Sequence, residues 1–376
     1  MAILYQIDEP RSEFPPERGE HLLDSGLRIA VLRKKLIRRA QPDHSQSFRR
    51  GFQLAFLLLN LWIGGAFYLW VRHFETGTHQ SLARPAGVEG WLPIAGLMNL
   101  KFWLSTGRIP ATHPAAMFLL LSFGSIAFLL RKAFCSWLCP VGTLSEYLWR
   151  AGRQIFRRNF HLPRWIDLPL RGLKYLLLGF FVWAVANMSA DAIDQFMRSP
   201  YGAIADVRML NFFRYLGETA AIVVGVLVLA SVLVQNFWCR YLCPYGALLG
   251  LTSLLSLLRI RRSESACIDC AKCAKACPSA LPVDKLVTIK SAECTGCLEC
   301  VAVCPSEDAL HMSLPHWTRT PNNGRLPAWA IAAGISVLFF GIVGYAKSAG
   351  YWNGDVPDYV YRQLVPQASQ IEHPGE

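Results

Sequence analysis

The chain is 376 residues long, with 53% hydrophobic and only 17% charged residues, where a soluble globular protein carries about 25% charged. This composition excludes disorder and a collagen-like fibre, and it is too apolar for a purely aqueous life. Lys+Arg outnumber Asp+Glu by 38 to 26, a net charge of +12; beside so much apolar sequence, basic residues point to the loops of a membrane protein rather than to nucleic acid.

Residues 1–50 are polar and contain no apolar core of a secretory signal, so no signal peptide is expected. The run Arg33-Lys34-Lys35 with Arg38-Arg39 fits an amphipathic helix at a lipid interface. Five apolar stretches follow, at 51–71, 114–130, 175–190, 219–234 and 327–346, none with an internal Asp, Glu, Lys or Arg. A hydrocarbon core of about 30 Å takes about 17–25 helical residues, so the first and last fit comfortably and the middle three borrow flanking residues. Alternate loops hold 29 of the 38 Lys+Arg, which predicts a cytoplasmic N-terminus and an outer C-terminus. The run 247–258 is too short to span and is read as an interfacial helix leading into Arg259, Arg261 and Arg262.

Phe134-Cys135-Ser136-Trp137-Leu138-Cys139-Pro140-Val141-Gly142 recurs as Trp238-Cys239-Arg240-Tyr241-Leu242-Cys243-Pro244-Tyr245-Gly246. Each copy follows a helix expected to run inward, which predicts a parallel repeat about an axis along the membrane normal. If each C-x3-C is helical, its two sulfurs share a face. Cys135, Cys139, Cys239 and Cys243 then form a third metal or cluster site, a redox-active thiol site, or two apolar pairs packed at helix ends. The counterpart of 247–258 in the first half, 143–154, contains Glu146, Arg150 and Arg153 and cannot span.

The remaining eight cysteines form two C-x2-C-x2-C-x3-C-P runs, Cys267, Cys270, Cys273, Cys277-Pro278 and Cys294, Cys297, Cys300, Cys304-Pro305. In this bacterial ferredoxin spacing three thiolates hold three corners of an iron–sulfur cube and the fourth comes from the other run. Cluster one is assigned to Cys267, Cys270, Cys273 and Cys304, and cluster two to Cys294, Cys297, Cys300 and Cys277. Ala271, Ala274 and Gly296 are small enough for the backbone to close on a cluster. Pro278 and Pro305 redirect the chain, and Ile268, Leu281, Val283, Val301 and Val303 supply an apolar shell. Zinc, which favours two well-separated C-x2-C pairs, and disulfides fit this pattern poorly.

The order of these parts resembles the membrane-bound polyferredoxin-type 4Fe-4S binding proteins, the family of NapH, the membrane domain of NosR and, more distantly, CcoG. The resemblance covers about residues 49–346, including Arg49-Arg50 at the entrance to the first helix. It implies electron transfer from the quinol pool, or maturation and maintenance of periplasmic reductases. The large outer flavin-binding domain of NosR has no counterpart here, and Thr76-Gly77-Thr78 is too weak a match to a flavin-attachment sequence to use.

The expected fold is an α-helical integral membrane protein of about five transmembrane helices with a parallel internal repeat, joined to a small α+β two-cluster ferredoxin domain. Its parts are a basic cytoplasmic segment (1–50), a first membrane repeat (51–142), a cytoplasmic amphipathic linker (143–172), a second membrane repeat (173–246), an interfacial helix (247–262), the ferredoxin domain (263–315), a fifth span (327–346) and an extracytoplasmic tail (347–376). No C-x-x-C-H supports covalent haem; His73 and His113 are expected as satisfied histidines at the outer interface. Segments 91–107 and 198–208 are candidates for a quinone head-group pocket or amphipathic turns on the bilayer. No catalytic residue is expected. The leading function is iron–sulfur electron transfer in a bacterial cytoplasmic membrane, between the quinone pool or a membrane redox partner and two [4Fe–4S] clusters. The chain would act as a carrier or as the quinol-oxidising subunit of a respiratory reductase. The alternatives are an accessory factor that reduces a metal ion or disulfide for a periplasmic enzyme, and a redox sensor.

Overall fold

A computed structural model describes residues 39, 43–77, 83–158, 160, 162–314 and 326–373; the basic run 33–38 lies outside them. Helix α1 (Ser45–Thr76) opens where Asp43 Oδ1 accepts the Ser45 N–H at 2.8 Å and ends at Gly77, whose φ of 68° closes the left-handed C-terminal turn. A 3-10 turn at Ala86–Trp91 leads into α2 (Pro93–Thr106), and α3 (Pro114–Leu130) starts on a proline whose missing N–H costs nothing at a first helical position. Short α4 (Ala133–Trp137) and amphipathic α5 (Pro140–Phe156) precede α6 (Arg164–Asn187). Helices α7 (Ala190–Arg198), α8 (Pro200–Ala203) and α9 (Ala205–Arg214) form a knot of turns before α10 (Glu218–Leu233). A π-helical turn at Trp238–Leu242 and α11 (Pro244–Thr252) complete the second half.

Helices run through all five apolar stretches. Three are long and apolar enough to cross a membrane, Ser45–Thr76, Trp165–Asn187 and Ala328–Ser348, and α9 with α10, bent by 81°, makes a fourth candidate if the pair is one span. The 17-residue α3 is shorter and lies at the centre, buried along most of its length. Lipid-facing positions on the surrounding helices carry exposed large apolar residues, among them Leu61, Leu176, Ile222 and Val337, as a bilayer solvent permits. The third stretch differs in extent from its expected 175–190: α6 begins eleven residues earlier and ends at Asn187, and Ala190 opens the next helix, capped by Ser189.

Small residues let helices meet closely, the packing mode of membrane bundles. A Cβ on Gly152 of α5 would lie 1.9 Å from the Val232 carbonyl oxygen of α10.

Strand β1 (Arg259–Arg262) pairs antiparallel with β2 (Leu310–Ser313), Ile260 opposite Met312, and the two cysteine runs lie between them with short α12 (Lys272–Ala276) and α13 (Glu299–Ala302). This corrects the reading of 247–262 as one interfacial helix. The helix ends at Thr252, a 3-10 turn follows, and Ser256 redirects the chain by accepting the Arg131 N–H (3.0 Å) and donating to the Leu129 carbonyl (3.1 Å). Arg259–Arg262 then alternates between half-buried and buried positions, as a strand does. The last elements are α14 (Ala328–Ser348) and α15 (Asp358–Leu364). The residues read as a tail are therefore anchored: Tyr361 packs edge-on against Trp70 of α1, with ring centroids 4.9 Å apart.

Helices α1 and α14 begin beside the ferredoxin domain, where Gln46 donates to the Cys297 carbonyl and Leu326 to the Met312 carbonyl. Helix α3 begins at the far end and returns, its final Leu130 followed by Arg131, which donates to the Ser291 carbonyl at 2.8 Å.

Candidate metal centres

Each ferredoxin loop repeats one backbone device. Asp269 and Ala271 in the first run, and Gly296 and Leu298 in the second, have φ between 56° and 63°. Left-handed residues flanking the middle cysteine curl successive N–H groups inward into an anion-binding nest. One small cavity is lined by Cys267, Cys270, Cys273 and Cys304, and another by Cys277, Cys294, Cys297 and Cys300. Leu281 and Val283 are buried beside them, while Ile268, Val301 and Val303 are half-buried. Among the described residues no three His, Cys, Asp or Glu side chains converge closely enough for a single metal ion. Four thiols around a cavity suit a larger iron–sulfur cube. Burial pushes the Cys273 thiol up to about 11 and the Cys297 thiol to about 12, so thiolate ligation here depends on the positive charge of bound metal.

The C-x3-C-P pairs depart from the expected shared helix face. Cys135 lies in α4, whereas Cys139 is extended (φ −65°, ψ 119°) and caps α5. The cause is Pro140, which drives the residue before it out of the helical region and then serves as the first residue of a new helix. The second copy breaks in the same place, with Cys243 (φ −73°, ψ 103°) capping α11. In both, the cap sulfur accepts a backbone N–H three residues on, Gly142 to Cys139 at 3.4 Å and Gly246 to Cys243 at 3.2 Å.

All four of these cysteines line one cavity of about 870 Å³. The buried Lys132 joins them on its wall, as do Cys297 and Thr295 of the ferredoxin loop. Burial raises the Cys135 thiol to about 11 and the Cys139 thiol to about 12, and the negative charge of neighbouring thiolates adds to both. A donor set of four such thiols beside a buried ammonium fits a cluster that carries net negative charge.

The ferredoxin loop nearest this cavity is fastened down. Ser136 Oγ donates to the Thr295 carbonyl at 2.7 Å and Trp137 Nε1 to the Gly296 carbonyl at 3.3 Å. Lys174 pairs with Glu293 at 2.6 Å, and Tyr175 donates to the same carboxylate. Arg49, 1% exposed, forks onto both Glu146 oxygens at 2.7 Å and reaches Glu299 at 3.1 Å, while Arg150 also pairs with Glu299. The sequence marked Arg49 as a family feature but gave no sign of its partners, which lie 97 and 250 residues away. Cys270 of the other run is exposed.

The cavity extends between Phe56, Phe123 and Phe339 to Arg84, Trp91 and Trp352 at the far end. Trp91 and Pro93 of segment 91–107 reach it, but no residue of 198–208 does. His113, expected as a satisfied histidine at the outer interface, is hydrogen-bonded through both ring nitrogens and 2% exposed.

Fold, cysteine loops and thiol-lined cavity together define an iron–sulfur protein built on apolar helices of membrane length. Residues 112–163 and 216–263 each match the family described as "4Fe-4S binding domain", and 261–312 match "4Fe-4S dicluster domain". The chain is 50% identical over 331 residues to "Putative electron transport protein YccM" of Escherichia coli (strain K12), covering 88% of this chain and 93% of that protein. It is 24% identical over 198 residues to "Ferredoxin-type protein NapH" of the same strain, spanning 62% of that relative. It is 30% identical over 141 residues to "Regulatory protein NosR" of Stutzerimonas stutzeri, spanning 18% of it. The chain belongs to the membrane polyferredoxin-type 4Fe-4S proteins. No solved structure matches it.

Proposed function

We propose that this protein carries electrons within a bacterial cytoplasmic membrane, between the quinone pool or a membrane redox partner and two cytoplasmic [4Fe–4S] clusters, in the service of a respiratory reductase. Cys267, Cys270, Cys273 and Cys304 hold the first cluster; Cys294, Cys297, Cys300 and Cys277 hold the second. Cys135, Cys139, Cys239 and Cys243 hold a third. When bound, such clusters supply one-electron storage at potentials set by hydrogen bonds and burial. Five spans and a parallel repeat accompany this reading. The repeat draws support from the one 4Fe-4S family that matches twice, each time around a single C-x3-C-P. The concentration of Lys+Arg in alternate loops supports a cytoplasmic N-terminus and ferredoxin domain with an outer C-terminus.

The observation that carries the proposal is the shared cavity: the four C-x3-C-P cysteines and Cys297 line the same space. The salt-bridged Glu293–Glu299 loop keeps the second cluster's ligands against that space, and exposed Cys270 leaves the first cluster's ligands accessible to a partner.

Anaerobic iron and acid-labile sulfide analysis of the full chain tests the ligand sets. Three cubes require about twelve irons per chain. Cys135→Ser combined with Cys239→Ser is expected to lower that to about eight while both ferredoxin-type signals persist in electron paramagnetic resonance. A wild-type content of about eight, unchanged in the double variant, would remove the third cluster; colourless protein without sulfide would remove all three.

A further inference from the structure

Lys132 is 4% exposed and lies on the wall of the cavity that the four C-x3-C-P cysteines share. Just past α3, Arg131 takes φ 63° and reaches away to the Ser253 and Ser291 carbonyls, and the next residue, Lys132, turns into the cavity. Its carbonyl accepts the Cys135 N–H at 3.2 Å as α4 begins. Its side chain ends against α11, in the other half of the chain, on a face cleared by two glycines one helical turn apart. A Cβ added to Gly246 or to Gly250 would lie 3.6 Å from Lys132 Nζ. The same point at Gly246 is 3.5 Å from the Cys243 sulfur, so ammonium and sulfur flank one small patch. The ammonium's charge also acts on Cys135 of the first motif and Cys239 of the second. One cation thus serves cysteines of both motifs.

No protein group neutralises it directly. Among the described residues Lys132 Nζ makes no hydrogen bond and no ion pair. Glu293, on the same wall, is engaged by Lys174 at 2.6 Å and by Tyr175 at 2.9 Å, and feels Lys132 only at longer range. A buried ammonium is ordinarily paired, because desolvating it alone is costly; this one faces thiols. The repeat does not duplicate it. The position equivalent to Lys132 in the second half is Asn236, a neutral amide that also lines the cavity and accepts from Ser145 at 3.4 Å.

We propose that Lys132 is the counter-charge of the cluster held by Cys135, Cys139, Cys239 and Cys243, and that it raises that cluster's reduction potential. The inference rests on the third-cluster reading above. A cube ligated by four thiolates is an anion, and taking up one electron adds one negative charge with no bond made or broken. A cation fixed beside it therefore favours the reduced form over the oxidised one, most strongly in a space shut from water. The neighbouring cavity, at Cys277, Cys294, Cys297 and Cys300, has no charged side chain on its wall among the described residues, so the lysine distinguishes the two clusters.

Potentiometric titration of the full chain in nanodiscs, followed by electron paramagnetic resonance, reads each cluster separately and needs no turnover. Lys132→Met keeps the length of the side chain and loses its charge. It is expected to shift the third cluster's one-electron equilibrium at least tenfold toward the oxidised form, a fall of about 59 mV, with smaller shifts in the two ferredoxin signals. Lys132→Arg is expected to stay near the wild-type potential. Lys347→Met removes a cation that sits over Trp352 at the far end of the same cavity, and is expected to move none of the three. A third cluster unchanged in Lys132→Met, or three signals shifted equally, overturns the proposal and leaves the cluster in place. So does an arginine variant, or Lys347→Met, that falls as far as Lys132→Met. If Lys132→Met loses the third signal altogether, retention in Lys132→Arg shows that the charge holds the cluster and supports the proposal. Loss in both variants shows that the shape of the side chain matters instead, and overturns it. Wild-type protein with about eight irons and no third signal removes the third cluster, and the counter-charge with it.

Discussion

Gly142 follows Cys139 by three residues, at the point where α5 starts and its N–H reaches the Cys139 sulfur. A Cβ there would lie 2.2 Å from the Cys135 carbonyl oxygen, backbone that cannot step aside. At the equivalent Gly246 an added Cβ would meet the Cys243 sulfur at 3.5 Å, and Cys243 Cβ and Lys132 Nζ at 3.6 Å each, ordinary contacts. The two halves share a motif glycine, but only one of them is sterically obligatory. Gly142→Ala is expected to cost about 1–3 kcal/mol through forced backbone displacement and to lose the iron proposed for the C-x3-C-P cysteines. Gly246→Ala is expected to keep both stability and iron. Thermal unfolding and iron analysis of the pair check this; equal losses would mean that the glycines matter through the cavity rather than through the turn.

The elements that join the ferredoxin domain to its helical base do so through ions rather than apolar contact alone. Arg49 of α1, Glu146 and Arg150 of α5 and Glu299 of α13 form one network, and Lys174 of α6 with Glu293 forms a second. Arg49→Met would leave Arg150 as the one cation shared by Glu146 and Glu299 in this network, so the cost falls below the about 3–5 kcal/mol of a buried ion pair that loses its partner outright. The expected result is faster hydrogen exchange across residues 293–300 with the apolar bundle unaffected; equal exchange in both proteins would show that the apolar contacts suffice. The same network predicts a pH window. Burial would raise the Glu146 and Glu293 carboxyls, but Arg49 at the first, and Lys132 and Lys174 at the second, hold both below their ordinary range. Depressed acids stabilise fully above the unfolded value of about 4.3 and lose that contribution as pH falls through their lower folded values. Protection at 293–300, taken relative to the intrinsic exchange rate at each pH, should therefore be constant from neutral pH down to about 4.3 and fall only below it; a fall already complete near neutrality would exclude these carboxylates as the fastening. Such long-range pairs leave no trace in sequence. The cysteine loops were legible because a cluster's ligands must come from a tight turn with small residues and a following proline. The helical face expected for Cys135 and Cys139 was not found, although Cys139-Pro140 already marked a helix boundary.

At the scale of the whole chain, apolar length predicted where helices form but not how they are built into one body. Helix α3 is the most buried of the apolar helices and the shortest but one, since its neighbours α2 and α14 cover it and it has little lipid to face. Period and hydropathy cannot tell such a core helix from a span. The bundle nonetheless has two distinct ends. Gln46, Arg131 and Leu326 meet the ferredoxin domain, whereas Gly77, His113 and the α15 residue Tyr361 gather at the other. On the topology proposed above, a bilayer around the apolar belt would separate the cysteine loops from the C-terminus. Fusion of alkaline phosphatase after Glu376 is expected to be active in cells and fusion of green fluorescent protein there to be dark. Green fluorescent protein placed after Ser256, where the chain turns towards β1, is expected to fluoresce. Fluorescence from the C-terminal fusion would put both ends of the bundle on one side of the membrane. On that outcome the cavity lined by Cys297 and Trp352 would not run between two faces of a bilayer, and the two-sided topology proposed above would fall.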